Sequence, residues 1–187
     1  GVFSDAVWLE SKAGISGRGG RMIKALGTGD LAALTVPPDL GVPDPQQDDE
    51  TRRQWLARTV APTNCVPCHE ILDPWGHALE HFDQLGQYRD TDNGQPVDAS
   101  DTVMLDGQSV SFADMTELAP ALARSCEVAA NVSRLFLVDA LTAASLLEAG
   151  EAPSAADVER VRVGFLEGGK TFRSLAVAVA QTEAVLR

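Results

Sequence analysis

Apolar residues recur at helical spacing along most of the chain, interrupted by clusters of glycine, proline and acid. Ser4 precedes Asp5-Ala6-Val7-Trp8-Leu9 as the N-cap of a short amphipathic stretch. Gly14, Gly17, Gly19 and Gly20 then read as a flexible turn, and Arg21 to Leu26 as a short helix stopped by Gly27. Pro37, Pro38, Pro43 and Pro45 predict an irregular linker. Asp48-Asp49-Glu50 reads as the start of a helix to about Thr59 that buries Trp55 and Leu56. Thr63 or Asn64 caps a short helix that Asp73-Pro74-Trp75-Gly76 breaks; His77 to Leu85 adds a turn or two with Leu79 and Phe82 inward. Asn93-Gly94 is a hairpin turn, because both residues tolerate positive φ. From Ser111 on the pattern is helical. Asp114 with Glu117 opens one helix, and Cys126 to Leu147 carries Val128, Val132, Leu135 and Phe136 on one stripe. Ser154 with Asp157 opens a third, with Val158, Val161 and Phe165 inward and Gly168-Gly169 as its stop; Phe172, Leu175, Ala176 and Val179 mark the last. The fold class is therefore mainly α, with one small β-hairpin and a C-terminal helical bundle.

Composition sharpens this. Of 187 residues 44% are apolar and 5% aromatic, which predicts a core of Ala, Leu and Val. The net charge is −12, and residues 61–187 carry −11 of it (8 Lys+Arg against 19 Asp+Glu). A surface this acidic repels phosphate backbones and excludes nucleic acid as the partner. No apolar run approaches the roughly 20 residues of a membrane-spanning helix. The start, Gly1-Val2-Phe3-Ser4-Asp5, lacks the basic and long apolar regions of a signal peptide, and reads as part of a longer protein.

Three cysteines do not make a disulfide framework. Two of them fall in Cys65-Val66-Pro67-Cys68-His69, the Cys-x-x-Cys-His pattern of c-type haem attachment. Cysteines three apart on a short helix present two thiols to one edge of a porphyrin, where each forms a thioether. The following His69 directs its imidazole at the iron. Two other chemistries compete. Cys65, Cys68, His77 and His81 make up a Cys2His2 zinc set, but with only eight residues between its halves, against about twelve in zinc fingers. A redox-active Cys-x-x-Cys needs a βαβ setting that the pattern does not offer. A calcium loop from Asp90 through Asp92 and Asn93 fails because its sixth position is Gln95 and its twelfth Asp101, where Gly and Glu are required.

The motif continues into a longer pattern through Leu72, Asp73, Pro74, Gly76, Ala78, Leu79, Glu80, Phe82, Asp83, Gly86, Tyr88 and Arg89. With Cys65, Cys68 and His69 it resembles the C-terminal region of the large planctomycete-type multi-domain cytochrome c proteins. The resemblance implies a haem-bearing, extracytoplasmic module at the C-terminal end of a larger assembly, periplasmic or extracellular, and no known reaction. The chain departs from that pattern at His77 and His81.

These readings divide the chain into an N-terminal segment and linker over 1–47, a cytochrome c-like haem-binding domain over 48–125 and a helical extension over 126–187. One covalent haem c is expected, exchanging electrons with a redox partner protein or with upstream domains of the same polypeptide. Trp75, Tyr88 and Arg89 are candidates to bind the propionates through N–H, O–H and guanidinium donors. Met104, placed in a loop, is the first candidate for the second axial ligand, ahead of His77, Met115 and His81; Met22 is a further one, and an open sixth position is the remaining alternative. An open position would make the chain part of a peroxidase- or oxidase-type haem enzyme, and the zinc set would make it a stapled interaction domain. Cys126 is expected to be a buried, inert thiol.

Overall fold

The computed structural model describes residues 14–26, 28, 31, 44–61, 64–148 and 150–186. The stretch capped by Ser4, the stop at Gly27, the linker over 37–43 and the cap at Thr63 lie outside them. The structure is mainly α-helical with two small antiparallel strand pairs. It divides into two compact units. One runs to Leu122; the other takes in Ala123 onward, with the short stretch Leu26–Thr28 grouped with it.

The first unit is built around two helices, α1 (Ile15–Leu26) and α3 (Val66–His77). The glycines read as a turn lie inside α1. A Cβ at Gly19 would overlap the carbonyl of Leu72, and a Cβ at Gly76 would overlap the carbonyl of Ile15, so the two backbones approach as only glycine allows. That packing offsets the poor helix propensity of glycine. The same contact carries α3 past Pro74, where the sequence suggests a break: the last turn is anchored by the buried Trp75, Gly76 and His77. Between them α2 (Arg52–Val60) starts at Thr51, whose hydroxyl and the Gln54 side chain form a reciprocal capping box. Asp48 and Asp49 stay in a turn before it, and Trp55 and Leu56 are only half-buried.

After α3 the chain turns through Ala78 to His81, with Leu79 fully buried. The expected hairpin follows as β1 (Thr91–Asp92) and β2 (Gln95–Pro96), with Asn93 and Gly94 both at positive φ. A second hairpin, β3 (Asp101–Leu105) with β4 (Gln108–Phe112), occupies residues read as loop and early helix. Its turn is Asp106-Gly107, at φ 51° and 72°, the conformation a two-residue hairpin needs. Along β3, Val103 and Leu105 are buried and Thr102 and Met104 exposed. Helix α4 (Met115–Arg124) closes the unit, Leu118 and Leu122 buried.

The second unit holds α5 (Cys126–Ala143), α6 (Ala155–Glu167), α7 (Phe172–Ala180) and the short α8 (Glu183–Leu186). Its core is Leu137, Leu141, Val161, Leu175, Ala178 and Val179, with Val132, Phe136, Val158 and Phe165 packed around it. Ser125, Ser154 and Thr171 cap the three longer helices. Cys126 is exposed, against expectation, because it stands at the first position of α5, ahead of the turn where the buried stripe begins at Val128.

Candidate functional site

The candidate site lies at the N-terminal half of α3. Cys65 is the N-cap residue and Pro67 sits in the first turn, where its missing N–H costs no helical bond. Helical geometry then sets Cys65, Cys68, His69 and Leu72 along one face. Both thiols are half-buried and neither is in a disulfide.

The imidazole of His69 is held from two sides. Its Nδ1 lies 2.9 Å from Asp73 Oδ2, one turn further along α3, and 3.1 Å from Ser16 Oγ on α1. A carboxylate only accepts, so the ring proton is on Nδ1 and is donated to Asp73. Nε2 then carries the lone pair, as a metal-binding histidine requires. His77 and His81 have the same tautomer for the same reason: His77 Nδ1 donates to Asp101 Oδ2 at 2.6 Å, and His81 Nδ1 to the Arg89 carbonyl at 3.0 Å. His81 also stacks on Tyr88, ring centroids 5.4 Å apart.

Among the described residues no group of three or more His, Cys, Asp or Glu side chains converges as a metal-binding set. The Cys65, Cys68, His77 and His81 zinc set is thus not assembled, since the four side chains do not converge. The donor set that is assembled, two thiols outside any disulfide one helical turn apart and an adjacent imidazole presenting Nε2, fits the needs of a covalently attached haem.

The other candidates fall in three places. Trp75 is 5% exposed and belongs to the core. Arg89 is tied into an ion-pair cluster, 2.5 Å from Asp92 Oδ1 and 3.3 Å from Glu80 Oε2, with its Nε donating to the Glu80 carbonyl. Met104 stands in β3 rather than in a loop. Asp101, Val103 and Leu105 share the strand face on which Asp101 meets His77 of α3, so alternation turns Met104 to the opposite face, 57% exposed. Its sulfur is 3.8 Å from Ser109 Oγ.

Around the turn that follows α3 is a buried polar cluster; the sequence pattern contains its Glu80 and Arg89 but does not single out Arg18. Arg18 of α1, 1% exposed, donates to the carbonyls of Leu79, Phe82 and Asp83. Glu80 is buried as well; desolvation pushes its carboxyl above the usual carboxylate range, although Arg89, Arg52 and Arg18 pull it the other way. Burial likewise lowers His77, against the opposing pull of its Asp101 hydrogen bond. Nor does the pattern mark Ser16 and Asp73 as partners of His69. The signal for Asp73 is its i, i+4 spacing from His69, which counts only if the helix continues through Pro74.

No helix of the described residues is long and apolar enough to cross a membrane. No curated protein and no solved structure matches the chain. Residues 17–92, which hold α1 from Gly17 onward, the Cys-x-x-Cys-His helix and the Glu80–Arg89 cluster, match the family described as PSCyt3, a protein of unknown function (DUF1588).

Proposed function

We propose that the first unit is a c-type cytochrome module. Cys65 and Cys68 hold one haem c through thioether bonds, His69 Nε2 ligates its iron, and the module exchanges electrons with a redox partner protein or with upstream domains of the same polypeptide. The observation that carries this reading is the engagement of His69 Nδ1 by Asp73 and Ser16, which leaves Nε2 as the donor beside two thiols that are not in a disulfide. The haem would supply one-electron chemistry; the chain supplies attachment, ligation and burial. Residues 14–25 belong to the same module in this reading, since α1 contributes Ser16 and the Gly19 contact to α3. Thioether formation on such a motif takes place outside the cytoplasm, so the module is assigned to the periplasm or cell surface.

An absorbance spectrum combined with intact mass tests this. The matured protein should show a Soret band and a mass increase of one haem that acid-acetone does not remove. An unmodified mass, with or without zinc, overturns it.

The position of Met104 favours a second reading for the iron's other face. With its thioether on the exposed side of β3, the sixth position is open or taken by an exogenous ligand, as in a peroxidase- or oxidase-type segment. Binding of carbon monoxide by the unmodified ferrous protein separates this from a closed electron carrier.

A further inference from the structure

The carboxylate of Asp73 has an unusual balance of partners. Its Oδ2 takes the His69 Nδ1 proton at 2.9 Å, while Oδ1 is buried and has no hydrogen-bond partner among the described residues. The side chain is 13% exposed. Its negative charge is thus poorly shared with water and is directed at one imidazole N–H. Ser16 Oγ, 3.1 Å from the same nitrogen, comes from another helix and gives Nδ1 a second polar contact. A neutral acceptor would only orient the ring. A carboxylate in this setting also draws the Nδ1 proton and makes Nε2 a stronger electron donor.

We propose that Asp73 is a positioning residue for His69, which fixes the imidazole so that Nε2 faces outward and, through the charge-assisted bond, biases a bound iron toward its ferric state. The inference rests on the haem reading above. Ser16 steadies the ring, and Asp73 sets the donor strength of the ligand.

The test is an equilibrium redox titration of the haem-loaded protein alongside Asp73→Asn and Glu70→Gln. The amide of the first variant keeps an acceptor of similar shape without the charge. Glu70 is an exposed acid next to His69 in the chain and controls for loss of a nearby charge. Asp73→Asn should shift the reduction equilibrium toward ferrous iron about tenfold, or ~59 mV for one electron, and Glu70→Gln by clearly less. Equal shifts, or none for Asp73→Asn, overturn the role of Asp73. Should Asp73→Asn fail to mature, the diamagnetic ferrous form of the wild-type protein, with carbon monoxide bound where the sixth position is open, still decides. Its His69 ring N–H should resonate far downfield and exchange slowly; an ordinary, fast-exchanging signal overturns the proposal. Absence of covalent haem from the wild type, read by mass, defeats the haem reading and this inference together. Haem present with an unmoved potential defeats the inference alone.

Discussion

Gly19 of α1 faces the carbonyl of Leu72 on α3 so closely that a side-chain carbon there has no room. Backbone cannot move aside as a flexible side chain can, so Gly19→Ala must prise the two helices apart. It should lower stability by about 1–3 kcal/mol despite the better helix propensity of alanine. Gly20→Ala is the counter-experiment. Its Cβ would meet only the Leu72 side chain at an ordinary 3.5 Å, so it should leave stability unchanged or raise it by up to about 1 kcal/mol. Denaturant midpoints at equal slope check both. The Gly19 variant should also loosen Ser16 from His69, since both sit at the α1–α3 contact.

A second prediction concerns the Glu80–Arg89 cluster. Arg89 bridges Glu80 and Asp92, and Glu80 is almost wholly buried. Removing the guanidinium strands a buried carboxylate, which typically costs about 3–5 kcal/mol. Arg89→Ala should therefore destabilise the first unit severely whether or not haem is attached. Arg162→Ala, which breaks an exposed pair with Glu159, should change the unfolding midpoint little. If Arg89 acts only on propionates, its loss would matter in the haem-loaded protein and not in the unloaded one.

Much of this architecture is legible in the chain, and the exceptions share a cause. The helices of the second unit show in their period and in Ser154, and Asn93-Gly94 announces its own hairpin, because both signals are local. Helix α1 is obscured by Gly17, Gly19 and Gly20, and the merit of Gly19 is a contact with α3 some 50 residues away. Pro74 suggests an end to α3 that packing of Trp75, Gly76 and His77 prevents. The β3–β4 hairpin has a usable signal in Asp106-Gly107, but the exposed Thr102 and Met104 alternating with buried Val103 and Leu105 give only a short pattern. At the site, Cys65, Cys68 and His69 stand out by spacing alone. Asp73 emerges only once α3 is continuous, and nothing near Ser16 in sequence points to His69.

His77 gives the pH dependence. Desolvation lowers its folded-state value below the 6.5 of a free imidazole, outweighing the Asp101 hydrogen bond and the charge of Asp73, with Arg53 adding to the lowering. Between the lowered folded value and 6.5 the unfolded chain binds the extra proton, so stability rises with pH through that window and falls on acidification. The unfolding midpoint should drop as pH is taken from about 7 to below about 6, and His77→Gln should flatten that drop. A pH profile of urea midpoints for the two proteins measures it. A wild-type profile that rises on acidification over this range would contradict the dominance of burial.

Met104 decides what the far side of the iron can do. In β3 it points opposite to Asp101, Val103 and Leu105, and it is the Asp101 side of the strand that reaches α3. For its sulfur to reach an iron ligated by His69, the hairpin would have to turn over and expose Val103 and Leu105, each largely removed from water here. Burial of such side chains is worth about 1.5–3 kcal/mol apiece, a cost that one axial thioether would have to exceed. Met104→Ala should therefore leave the haem spectrum, the potential and carbon monoxide binding of the loaded protein unchanged. Met115→Ala should do likewise, because Met115 opens α4 with its N–H on the Ala78 carbonyl and packs there half-buried. A near-infrared sulfur-to-iron band in the wild type that vanishes in Met104→Ala, with a fall in potential and new access for carbon monoxide, would instead establish Met104 as the ligand and the module as a closed electron carrier. Persistence of a low-spin ferrous spectrum in both methionine variants would direct the search to His81, whose Nε2 is left as a donor by the Arg89 carbonyl on its Nδ1; His81→Ala should then open the iron while leaving both thioethers in place.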